Sequence, residues 1–372
     1  APWSPTNNIY RGDVMSYVAI KGGTEAIGAS KKFFSESLEA ATHIDDQSLI
    51  KGLVFSCDRV MGEGALYTEK LSAEAIRKSG GDLLEAAFYV RAHRSTCQRI
   101  GQVDPVDTSR MRIVRRISAA FKDIKGGQIL GPSCDYVIRL FTTYKDGAWK
   151  GAEIAQTNSG DVFLESALQP LRDEDKLIIL ENHEEEVFDV TRTVPLPPYP
   201  RSGLMQVMSR GETGALLAFA YTTMRGYGDV HPTIGDLRLG SADFSFKHPF
   251  TGKKAKVGEM RFTACETVGS FGRDKKDGKI RLSVGYGFCF GFNETKAISM
   301  SILDLAMHHS GHSVGGIDIA ANPEIIIHHV DAVESMGFSN HFKLPHYVTF
   351  QADLHVFEAA KVNNESIGHD NK

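Results

Sequence analysis

The chain has 372 residues, of which 42% are hydrophobic and 24% charged, and its formal net charge is −4. These are ordinary values for a globular protein, long enough for two domains or one large one with a sizeable core. The balance excludes a global basic field for nucleic acid, so none is expected as a partner, and no apolar run reaches the length of a membrane-spanning helix. Five cysteines stand at 57, 97, 134, 265 and 289. Their number is odd and no CxxC pair occurs, which argues against a disulfide framework and for a reducing cytoplasm.

Residues 1–14 are polar, lack the apolar segment of a signal peptide and read as a disordered extension ahead of Met15. In IKGGTEAI (20–27), Lys21, Gly22 and Gly23 precede a helix expected to begin near Thr24. A helix N-terminus after glycines can bind an anion, although a glycine pair alone is a weak signal. In 47–61, Leu49, Ile50, Leu53, Val54, Cys57, Val60 and Met61 recur at helical spacing. In 81–101, Asp82 and Glu85 resemble a capping box and Gly101 a stop. Arg91, Arg94 and Arg99 on that helix read as a solvated or subunit-facing side rather than a phosphate site.

KDIKGGQILGPSCDY (122–136) carries glycines that let a backbone approach a phosphate, or that simply make a tight turn. No GK[ST] follows, so it is not a Walker motif. The acidic run ENHEEEVFD (181–189) and the proline run VPLPPYP (194–200) predict a linker or extended arm over 151–200. One or two helices ending at glycines follow in 201–228. AYTTMRGYGDVHP (220–232) then gathers Arg225, Tyr227, Asp229 and His231. That set offers a guanidinium fork for phosphate, a stacking ring and proton-transfer groups, or it is a helix C-terminus with Arg225 on the last carbonyls.

Alternating patterns predict strands over 236–246, 256–268 and 279–292, and Asn293 caps a predicted helix over 293–307. The histidines of HHSGH (308–312) and at 328–329 read as surface residues. In HFKLPHY (341–347), His341 and His346 share neither a helix face nor a strand face, and converge only if the chain turns at Lys343-Leu344-Pro345. Helices early and strands late give an α+β fold, a helical N-terminal part followed by a mixed or antiparallel sheet with helices. The expected organisation is 15–150 mainly helical, 151–200 linker or arm, and 201–372 an α+β C-terminal domain.

Several of these stretches together resemble one family. MSYVAIKGGTEAI, DRVMGEG (58–64), RRISAAFKDIKGGQILGPSCDY (115–136), LAFAYTTMRGYGDVHP (217–232), GYGFCFGFNETKA (285–297) and HFKLPHYVTFQADL (341–354) are similar to subunit I of the carbon–phosphorus lyase core complex, the PhnI family. The resemblance implies a cytoplasmic role in phosphonate metabolism. With sister subunits G, H and L, adenine would be displaced from MgATP by methylphosphonate, giving α-D-ribose 1-methylphosphonate 5-triphosphate. Subunit I alone would act as a nucleosidase, with water replacing the phosphonate. It also implies a two-fold symmetric hetero-oligomer with subunits G, H and J, and zinc on the two histidines of HxKLPHY, here His341 and His346, at the interface with J.

Such a displacement at C1′ has an oxocarbenium-like transition state. It needs a proton donor near the departing base and positioning of the phosphates, with Mg²⁺ mainly on the latter. Asp229, His231 and Glu63 are the acid candidates. Lys21, Gly22, Gly23, Lys122, Gly126, Gly127, Gln128, Arg225 and Tyr227 are the substrate-binding candidates. The rival reading is a non-catalytic scaffold that holds partner subunits and a shared zinc.

Overall fold

A computed structural model describes residues 23–40, 44–131, 133, 135, 164–179, 187–225, 231–308 and 319–369. Contacts divide the chain into Ala1–Asp45 and Asp46–Lys372. In the first unit, α1 (Gly23–Ala40) begins where the glycine pair predicts.

The second unit opens with α2 (Asp46–Gly52), α3 (Val54–Gly64), α4 (Glu69–Lys78) and α5 (Leu83–Thr96). The single helix expected over 47–61 is two, because Leu53 leaves helical geometry at φ −121° and ψ 43° after a glycine of low helix propensity. Asp82 caps α5 by accepting from the Leu84 and Glu85 amides. That helix stops at Thr96 rather than at Gly101, since Cys97 is already extended. Leu49, Cys57, Val60, Ala73, Ile76, Ala86 and Val90 form the core of this helical layer. Arg91 does not face solvent: its Nη1 donates to both carboxylate oxygens of Asp331 at 2.7 Å, and its Nη2 to the Glu63 carbonyl.

Among the described residues the sheet has four strands, in the order β1 (Arg112–Ile117), β2 (Thr233–Lys247), β3 (Lys254–Arg273) and β4 (Ile280–Phe290). Each pairing between these four strands is antiparallel, and a lone parallel bridge joins Leu177 to Leu282 of β4. β1 was not foreseen, and it joins the sheet from ahead of residue 150. The short α6 (Gln169–Asp173) precedes α7 (Arg201–Arg210) and α8 (Thr213–Thr222). α9 (Glu294–His308) starts at Asn293, whose Oδ1 accepts from the Lys296 amide at 3.0 Å, as predicted. α10 (Pro323–His329), α11 (Ala332–Phe342) and α12 (Tyr347–His369) complete the order.

α9 lies directly on β4. A Cβ at Gly287 would sit 2.0 Å from the Ala297 carbonyl oxygen, and one at Gly285 would sit 1.9 Å from that of Ser301. Only glycine allows this approach. On that face Leu237, Leu239, Cys265 and Cys289 pack against Met300 and Leu303, with Leu204, Met208 and Leu216 from α7 and α8 closing the core.

The DRVMGEG stretch is a structural joint. Buried Asp58 accepts from the Phe292 amide and pairs with Arg261, and Gly291, at φ +72°, makes room for it. Burial pushes the Asp58 carboxyl up, while the Arg261 guanidinium pulls it back. Cys57, Cys97, Cys265 and Cys289 are free thiols, and among the described residues no helix is long and apolar enough to cross a membrane.

Candidate functional site

The sheet's second face is polar. Strand register sets Asp236 opposite Glu266, and Glu266 opposite Tyr286, in one row across β2, β3 and β4. The next row toward the apolar face is Leu237, Cys265 and Gly287. Side chains alternate along each strand, so one register fixes both faces.

Over the polar row lies the segment 164–173. The Ala167 amide donates to Asp236 at 2.9 Å, the Ser166 hydroxyl to Glu266, and Arg172 Nη2 to Glu266 at 2.5 Å. Leu168 is fully buried against Gly235, where a Cβ would meet it at 2.6 Å. Beneath, Asp236 holds two buried guanidiniums, Arg116 (3.2 Å from Nε and from Nη2) and Arg238 (2.8 Å from Nε). The arginines' other N–H groups are taken by the carbonyls of Lys125, Leu164 and Glu165. Such satisfaction is what a buried charge cluster requires.

The result is a cleft of two chambers. One, of about 220 Å³, is lined by Thr108, Ser109, Ser166, Glu266 and Tyr286 among others. The second, of about 170 Å³, has apolar walls from Leu177, Ile178, Ile179 and Val284, with Arg172 and Arg201. Glu266 and Tyr286 line both. Burial pushes the Tyr286 phenol up to about 12, so it stays protonated.

Of the sequence candidates, the described residues from Glu63 onward are not among those lining either chamber. Exposed Lys122 and the glycine pair belong to a loop between β1 and the polar face, where Gly126 and Gly127 have φ of +85° and +74°. Its Lys125 pairs with Glu165, a residue of the first chamber, at 3.1 Å. Gln128 is not free to bind a substrate: its amide accepts from the Ser118 amide and donates to the carbonyls of Ser118 and Phe121, clasping the loop shut. The Ala119 and Ala120 amides both donate to the Ile234 carbonyl at 2.9 Å. This ties the loop to the start of β2, three residues beyond exposed His231.

Arg225, after α8, is exposed and lies over the Tyr221 ring with its guanidinium carbon 5.7 Å from the centroid. Lys21, Gly22, Tyr227 and Asp229 fall outside the described residues, and Gly23 begins α1. Glu63 is spent on structure. It is 2% exposed, and its Oε1 accepts from Arg59 Nε at 2.9 Å and from the Thr213 amide and hydroxyl at 3.1 Å.

The histidine pair does converge. α11 ends at Phe342, the chain turns through Lys343-Leu344-Pro345, and α12 starts at Tyr347. The two Nε2 atoms are 3.2 Å apart, with ring planes crossing at 80°. Two histidines on a tetrahedral zinc, with Zn–N of about 2.0–2.1 Å, hold their nitrogens roughly 3.3–3.4 Å apart. His346 Nδ1 lies 2.6 Å from the Leu344 carbonyl. A donor there puts the proton on Nδ1 and leaves the Nε2 lone pair free for a metal. The pair therefore fits such an ion, and among the described residues no third His, Cys, Asp or Glu completes a group of ligands.

A comparison with protein families matches the bacterial phosphonate metabolism protein PhnI over residues 16–364. The chain is 45% identical over 91% of its length to a Stutzerimonas stutzeri protein provisionally named C-P lyase subunit HtxH, covering 94% of that protein. It is 38% identical to the Escherichia coli α-D-ribose 1-methylphosphonate 5-triphosphate synthase subunit PhnI, covering 92% of this chain and 97% of that one. The Rhizobium meliloti subunit of the same name is 36% identical, covering 91% and 93%. With a match that runs almost end to end, the chain belongs to the PhnI family of bacterial phosphonate metabolism proteins.

Proposed function

We propose that this chain is a cytoplasmic subunit of the carbon–phosphorus lyase assembly that displaces adenine from MgATP at ribose C1′. Methylphosphonate is the acceptor, giving α-D-ribose 1-methylphosphonate 5-triphosphate, and water replaces it when the chain acts alone as a nucleosidase. The observation that carries this reading is the near full-length similarity to two relatives named as subunits of that synthase.

The chain's own groups supply what the reaction needs. Lys122, with the positive-φ glycines beside it, and Arg225 are exposed and available to phosphate. Asp229 and His231 are the candidates for moving a proton to the departing base, whereas Glu63 and Gln128 hold the fold. Mg²⁺ arrives on the phosphates. His341 and His346 would hold a zinc ion that subunit J completes, and such an ion with open positions would supply Lewis-acid polarisation. Large apolar side chains exposed on α11 and α12, among them Phe338, Phe342, Phe350 and Phe357, suit an assembly with subunits G, H, J and L around a two-fold axis.

The test is the assembled complex with MgATP and methylphosphonate. Phosphorus NMR should show the ribosyl phosphonate triphosphate, and chromatography should show adenine in equal amount. ADP and phosphate as the only products would exclude attack at C1′ and leave the scaffold reading.

A further inference from the structure

We propose that the two-chamber cleft on the polar face of the sheet is the nucleoside site, with ribose in the hydroxyl-lined chamber, the base between the apolar walls and arginines of the other, and Glu266 and Tyr286 at the glycosidic bond. This rests on the reading of the chain as acting at ribose C1′.

The lining selects the ligand. The Ser109 and Ser166 hydroxyls give their protons to Asp107 and Glu266, which leaves hydroxyl and carboxylate lone pairs to accept from a polyol, and a carboxylate paired with ribose hydroxyls is a recurrent solution for nucleotides. The deeper charges are already compensated, Asp236 by Arg116 and Arg238 and Glu266 by Arg172, while Asp107 and Glu165 at the exposed rim pair with Arg110 and Lys125. A bare anion would gain little there, whereas a neutral sugar exploits the remaining lone pairs. The second chamber offers aliphatic walls and planar guanidiniums, the surfaces on which a heteroaromatic ring packs. The two residues common to both chambers lie where sugar and base must join.

The phosphates also have an exit. Glu165, on the first chamber, pairs with Lys125 of the glycine loop that carries Lys122, Gly126 and Gly127. A ribose in that chamber places its 5′ chain toward those amides and lysines.

In the reaction the glycosidic bond breaks and its electron pair goes to the base nitrogen. C1′ gains a bond to an oxygen of the phosphonate or of water, and the proton that oxygen sheds ends on the base. Glu266 faces the positive charge that develops on the sugar ring. Tyr286 keeps its proton at neutral pH and donates a hydrogen bond to the departing base.

The experiment compares three variants of the full assembly: Glu266→Gln, Tyr286→Phe and Val284→Trp. It measures adenine release from MgATP, binding of a fluorescent ATP analogue, melting temperature and subunit content. Glu266→Gln should lose roughly a hundredfold or more in kcat, with analogue affinity within a few-fold of the parent. Tyr286→Phe should lose about tenfold or more. Val284→Trp fills the base chamber and should instead weaken analogue binding in an assembly that still folds and keeps its subunits. If the parent assembly releases adenine and the folded, assembled Glu266→Gln and Val284→Trp variants match it, the cleft is not the site and the proposed activity survives. If the parent itself releases no adenine, the activity and this assignment fall together.

Discussion

The cleft and the histidine pair are opposite kinds of site. The cleft is assembled from separated stretches of chain around 108, 164–179, 236–238, 266 and 284–286, and at its centre Asp236 is buried and paired with Arg116 and Arg238. The pair comes from six consecutive residues, both rings are exposed, and its geometry is set by one proline turn between two helices. In the cleft, chemistry and folding use the same groups, so a change there disturbs both. At the pair the protein has little invested, so its residues can be altered for function alone.

Changes in stability should separate the two regions, beginning with the largest. Asp236→Ala leaves Arg116 and Arg238 buried without their carboxylate, and should cost about 3–5 kcal/mol in denaturant unfolding. A loss below about 1 kcal/mol would mean that the cluster is not a buried charge network.

Gly287→Val acts from the other face. Its Cβ would lie 2.0 Å from the Ala297 carbonyl oxygen, so α9 must move off β4. The cost should be about 1–3 kcal/mol or more, read from the melting temperature. Tyr286, next to Gly287 on β4, should then show an altered environment by tyrosine fluorescence.

A smaller effect is expected from Tyr286→Phe at high pH. The folded phenol is raised to about 12 from its ordinary 10 because burial disfavours the phenolate. Its contribution is thus complete below pH 10 and is lost as pH rises through about 12. Melting temperatures from pH 9 to 12 should fall more steeply for the parent than for the variant, and parallel curves would contradict a buried phenol.

The smallest change in stability belongs to the double variant His341→Ala, His346→Ala, within about 0.5 kcal/mol of the parent because both side chains are exposed. Yet metal analysis of the assembled complex should show the zinc lost, while adenine release persists. Full zinc occupancy in that variant would remove these residues from the metal site.

Much of the secondary structure was legible because it is local. Asp82 and Asn293 cap the helices their positions announce, three strands fall where apolar and polar residues alternate, and Pro345 makes the turn that brings His341 to His346. The motif resemblance led to the right family for the same reason, since it rests on contiguous stretches. Alternation in DLRL (236–239) also separates two faces, but it does not say what covers the polar one. Only the tertiary structure covers Asp236 and Arg238 with the segment 164–173, adds β1 with Arg116, and aligns Glu266 with Tyr286. It likewise shows the hydrogen bonds of Glu63, an acid candidate, and Gln128, a substrate-binding candidate, spent on the fold. Periodicity along a chain reports which residues share a face, whereas burial and pairing depend on which distant segment lies on that face. A charge cluster built from segments more than a hundred residues apart leaves no local pattern.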